Sequence, residues 1–90
     1  MAVPLRAQTT PPEDALLHAI WLGLRGEWDA AHGIAQADDG ADAAWVHAWL
    51  HRIEGDPGNA GYWYRRAGRP VAQGTTDDEG EAIARALAAR

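Results

Sequence analysis

Two stretches of this 90-residue chain repeat one another. Written over "WVHAWLHRIEGDPGNAGYWYRRA" (Trp45 to Ala67), "LLHAIWLGLRGEWDAAHGIAQAD" (Leu16 to Asp38) aligns at an offset of 29 residues. His18 falls on His47, Ala19 on Ala48, Gly26 on Gly55, Glu27 on Asp56 and Ala31 on Ala60. Each stretch reads as a helix, a glycine followed by an acidic residue, and a second helix with a small residue at its middle. Glycine supplies the left-handed conformation that ends a helix, and a carboxylate just after it favours the N-terminus of the next. A chain so patterned is constrained to build a helical hairpin, and to build it twice.

The remaining boundaries come from capping chemistry. Thr10-Pro11-Pro12-Glu13 reads as a capping box with prolines in the first turn, opening the helix "EDALLHAIWLGL", which breaks at Gly23 to Gly26. A second helix then runs to about Ala37, Asp38-Asp39-Gly40 turns the chain, and Asp39 or Gly40 starts the third, which Gly55 ends. Asp56 caps the fourth helix, with Pro57 at its first position, and Gly68 stops it. Thr76 to Glu79 reads as another capping box, opening a terminal helix striped with Ile83, Leu87 and alanines. Residues 1–9 read as a loose tail and "GRPVAQGTT" as a connector. No alternating run rich in Val, Ile and Thr suggests a strand. The expectation is one all-α domain over residues 10–90, with two tandem hairpins over about 11–38 and 40–68 and a terminal helix over about 77–90.

Composition narrows the function classes. Five Trp and no Phe make indole rings the large core formers, and each buried ring needs an acceptor for its N–H. With no Cys there is no thiolate ligand, thiol nucleophile or disulfide, so a metal would be held by His, Asp and Glu. A net charge of −5 and the absence of Lys argue against nucleic-acid binding, which draws on clustered cations. Arg65, Arg66 and Arg69 form the one basic cluster, readable as a solvated helix end or as an anion site. Nothing in the sequence looks like a signal peptide or a membrane span, and the cytoplasm is the default location.

Ala48 in the third helix, Gly55 at the turn, Ala60, Tyr64 and Ala67 on the fourth helix, and Pro70 after it together resemble a tetratricopeptide-type repeat. The resemblance covers Trp45 to Pro70 and, in part, Leu16 to Asp38; the period of 29 is shorter than that family's usual length of about 34. It implies a scaffold for protein contacts. The arrangement "GEWDAAH…AQ…HAWLHRIEGDPGNAGYWYRRAG" is also similar to small uncharacterised bacterial proteins, a likeness that implies no particular activity.

The chemistry-bearing residues concentrate on the third helix. His47, His51 and Glu54 stand at i, i+4 and i+7, on one face. Two imidazoles one turn apart can converge on an ion, but the residue after His47 is Ala48 where a zincin protease carries glutamate, which excludes that reading. His18, equivalent to His47 in the repeat, and His32 can complete a four-histidine set for zinc or iron, with Glu54 as general base or fourth ligand. His47, His51 and Glu54 are equally candidates for acid–base catalysis, or a polar layer hydrogen-bonded inside the core. Trp45, Trp49 and Ile53 form a second, apolar stripe on the same helix, to be covered by self-association, by the terminal helix, or by a ligand in a groove. Tyr64 is the expected core residue of the Tyr62-Trp63-Tyr64 run, with Trp63 at the edge. The leading expectation is a small soluble binding or assembly module that mediates protein contacts and self-associates as a homo-oligomer, because so short a chain builds only a modest core; the alternative is a metal- or histidine-dependent enzyme with its site between the hairpins.

Overall fold

Local chemistry sets the helix ends. A computed structural model describes residues 3–90 and is all-helical: α1 (Ala15–Leu24), α2 (Trp28–Gln36), α3 (Ala41–Ile53), α4 (Pro57–Ala67) and α5 (Thr76–Ala88), with no strand among those residues. Gly26 and Gly55 adopt φ of 84° and 82°. Around them the same two bonds recur: Gly26 N–H to Gly23 O and Glu27 N–H to Leu22 O in one turn, Gly55 N–H to Arg52 O and Asp56 N–H to His51 O in the other. This is a helix stop that only a left-handed residue permits, and both glycines supply it. Asp56 caps α4 by accepting from Asn59 N–H at 3.2 Å, and Pro57 follows at the first helical position.

Two caps differ from the sequence reading. Asp14, not Thr10, caps α1: its Oδ1 accepts from the amides of both Leu16 and Leu17 at 3.0 Å. The Leu17 amide is the main reason its carboxyl sits below the usual aspartate range. The Pro11-Pro12 pair holds the preceding residues extended and so delays the helix. Thr75, not Thr76, caps α5, its hydroxyl accepting from Asp78 N–H at 3.0 Å. That one-residue change of register frees Glu79 from a capping role and turns it inward, 8% exposed. Gly23 lies within α1 rather than at a break.

Helix α3 is central, packing against α1, α2, α4 and α5. Its Trp49 is wholly buried beneath α5, the N–H donating to Thr76 O at 2.7 Å. Gly23 on α1 and Gly80 on α5 make room for the indole: a Cβ at either would stand 2.7 Å or 2.6 Å from its ring carbons. The apolar stripe is thus closed at its centre from within the chain, and Trp49 does not line an open groove or a self-association surface; Trp45 and Ile53 are half-buried. Tyr64 is buried against Ala48 and Ala60, as expected. Its hydroxyl meets Glu79 of α5, whose other oxygen takes Arg52 of α3 at 2.8 Å. Burial, and then the Glu79 hydrogen bond, push the Tyr64 phenol above its ordinary range.

In place of a loose tail, Leu5–Ala7 forms a 3-10 turn with Leu5 buried. Glu81 of α5 accepts from the Leu5 amide at 2.7 Å and the Arg6 amide at 3.0 Å, which fixes the segment; Met1 and Ala2 lie outside the described residues. No helix among the described residues is long and apolar enough to cross a membrane.

Candidate functional site

Opposite the Trp49 core, α3 presents His47 and His51 one turn apart, both buried, at 4% and 6% exposure. Helix α2 brings His32 against them from across the gap. Its position follows from Trp28, whose indole N–H donates to Leu50 O at 2.6 Å and so fixes the start of α2 on α3. One turn on, His32 stacks on the Trp28 ring, with centroids 4.6 Å apart.

The three imidazoles form a group. His32 Nε2 and His47 Nε2 are 2.9 Å apart and share a hydrogen bond. One ring nitrogen from each of His32, His47 and His51 lies within 4.8 Å of the others. In a tetrahedral zinc site with Zn–N bonds of about 2.0–2.1 Å, ligand nitrogens stand roughly 3.3 Å apart. The 2.9 Å between His32 and His47 and the 4.8 Å limit on the group bracket that figure.

Indole rings wall the group. Trp63 of α4 lies flat on His47, with centroids 3.8 Å apart and an interplanar angle of 13°. His51 stacks on His47 at 4.9 Å, and Arg66 sits over Trp63 at 5.1 Å. Dry surroundings disfavour the imidazolium. Burial, reinforced by the positive charge that His32, His51 and Arg66 would present, lowers His47 from 6.5 to about 4. His32 is lowered chiefly by burial and then by His51, with Glu54 and Asp29 opposing. Neutral imidazole is the form that ligates metal.

Glu54 does not stand in the group as a further ligand. It ends α3, exposed, and its Oε1 lies 2.6 Å from His51 Nδ1. A carboxylate on Nδ1 directs the proton there and leaves the Nε2 lone pair free, which is how metal-binding histidines are commonly oriented. His51, Glu54 and Asp56 also offer atoms within 4.8 Å of one another, although the Asp56 carboxylate already caps α4.

The structure therefore brings together His32, His47 and His51, with Glu54 behind His51. His18 stays apart on α1, half-buried and edge-on to Trp21 at 5.9 Å. The sequence repeat aligns His18 with His47, yet α2, which packs against both α1 and α3, brings His32 to His47. Trp63, expected only at the edge of α4, and Trp28 carry no local mark as walls of a site; the available signal is the spacing of Trp28 and His32 at i and i+4. Comparison with known proteins found no matching family model, no matching curated protein and no matching solved structure.

Proposed function

We propose that this chain is a small helical binding module whose ligand is a divalent transition-metal ion, held by His32, His47 and His51. The observation that carries the reading is the convergence of three imidazole nitrogens from two helices within 4.8 Å. An all-imidazole set suits zinc and its neighbours better than calcium or magnesium. Three protein ligands leave a fourth position for water or an exogenous group, from which metal-assisted hydrolysis would proceed in an enzyme. In the same reading, α1–α2 and α3–α4 are two copies of one hairpin of tetratricopeptide type, supported by the matching turns at Gly26 and Gly55 and the buried Ala31 and Ala60. The scaffold's role is to set α2 against α3 so that the histidines meet.

Titration of tag-free, chelator-washed protein with Co²⁺ tests this directly, because tetrahedral cobalt carries an intense visible band. The expected result is one equivalent bound, displacement by Zn²⁺, and a rise in melting temperature that chelator reverses. His32→Gln, at a half-buried position, should remain folded and lose the band. No saturable binding by a folded wild type, or full binding by folded His32→Gln, would overturn the assignment.

A further inference from the structure

A second site lies on the far side of α3, in the cleft between the 68–75 connector and α5. We propose that this cleft binds a small carboxylic acid with an apolar body. It is an open cleft of about 600 Å³, within the range of roughly 300–1,000 Å³ that small-ligand pockets occupy. Trp45, Pro70, Val71 and Ala82 supply its apolar lining, and Val71 is held out at 58% exposure.

Its polar groups are chiefly donors without acceptors. Arg6, Arg52 and Arg90 each pair with a carboxylate. Arg69 and Arg85, which line the cleft, have no such partner among the described residues. The Arg69 guanidinium lies 3.9 Å from the Trp45 ring centroid. Stacking of this kind holds the planar fork in place and leaves its N–H edge free, the geometry that takes a carboxylate in bidentate fashion. Trp45 adds a further donor. The indole N–H groups of Trp21, Trp28 and Trp49 each donate to a backbone carbonyl, whereas that of Trp45 has no acceptor among the described residues. Among the described residues no buried side-chain nitrogen lacks a partner, so the Trp45 N–H opens to solvent.

Charge agrees with an anionic ligand. Two acidic residues line the cleft, but Glu79 is already engaged by Arg52 and Tyr64. Asp78 is left against the two guanidiniums, making this a locally cationic cleft on a chain of net charge −5. Arg69, read from sequence as part of a basic cluster with Arg65 and Arg66, is separated from them in use: Arg66 turns to Trp63 and the histidine side.

The experiment uses 4-phenylbutyrate as the acid and 4-phenylbutyramide as its neutral counterpart, followed by ¹H–¹⁵N spectra of the Trp45 indole and the Arg69 and Arg85 guanidiniums. The acid should give saturable shifts at those groups, and the amide should bind at least tenfold more weakly. Arg69→Gln and Arg85→Gln alter exposed side chains, so a preserved spectrum elsewhere confirms folding, and each should weaken the acid at least tenfold. Chelator should change nothing, which separates this site from the metal. Absence of saturable shifts into the millimolar range, equal binding of the amide, or unchanged binding by the folded arginine variants would overturn the proposal. A short peptide ending in leucine that binds tenfold more tightly than the acid would also overturn it, identifying the occupant as a chain terminus.

Discussion

Trp49 and His47 stand two residues apart on α3 and face different environments. Around Trp49, α1 and α5 approach so closely that only glycine fits at positions 23 and 80, and the ring's one polar group is satisfied by Thr76 O. Around His47, the neighbours are other rings: Trp63, His51 and His32. Both side chains are almost fully buried, at 0% and 4% exposure. One face of the helix therefore has its energy in shape, and the other in groups that can gain a proton or a metal. Burial by itself does not distinguish a core from a site; what does is whether the buried atoms have a second state available.

The largest expected effect lies on the Trp49 side. Trp49→Ala removes a wholly buried indole and should cost about 3–5 kcal/mol, since the cavity is walled by three helices and cannot collapse freely. Glycine substitutions sharpen the point through their sign. Gly80→Ala places a Cβ 2.6 Å from Trp49 and should destabilise by about 1–3 kcal/mol despite alanine's better helix propensity. Gly33→Ala on α2 meets nothing within 4 Å and should stabilise by about 0.5–1 kcal/mol. Urea melts of the three variants check the order; a stabilised Gly80→Ala would mean that α5 does not seat on Trp49 in this way.

How much of this is legible in sequence follows from how local each cause is. The stops at Gly26, Gly55 and Gly68 and the Asp56-Pro57 cap depend on residues within one turn, and they stand where the pattern places them. Glu79 and Glu81 carry no local mark of burial. Their partners, Arg52 and Tyr64 for one and the Leu5 and Arg6 amides for the other, are fixed only once α5 docks. The spacing of His47, His51 and Glu54 shows that they share a face, but not that His32 will meet them, because the α2–α3 contact depends on the long-range bond from Trp28 to Leu50 O. The same contact leaves His18 out.

On the histidine side, pH is the sharper probe. In the folded chain His47 titrates near 4, below its ordinary 6.5, so between those values the folded state binds fewer protons than the unfolded one. The stability contributed is present above pH 6.5 and is lost as pH falls towards about 4, and His32, also lowered, acts in the same direction. For His47 the span corresponds to on the order of 3 kcal/mol. Chemical denaturation of metal-free protein at several pH values should show this decline. His47→Gln should be less stable at neutral pH and should lose much of the decline between pH 6.5 and 4. An equally steep dependence in folded His47→Gln would assign it to carboxylates elsewhere.

The smallest effect separates the two histidines that the repeat makes equivalent. The sequence repeat aligns His18 with His47, but His47 has an imidazole 2.9 Å away and an indole flat upon it, whereas His18 meets the edge of Trp21. A half-buried side chain in that setting contributes little, so His18→Gln should change stability by no more than about 0.5 kcal/mol. Cobalt binding should be unchanged in both stoichiometry and spectrum, in contrast to His32→Gln. A His18→Gln variant that folds normally yet binds cobalt more weakly would place a ligand on α1, and would extend the histidine site beyond the one contact between α2 and α3.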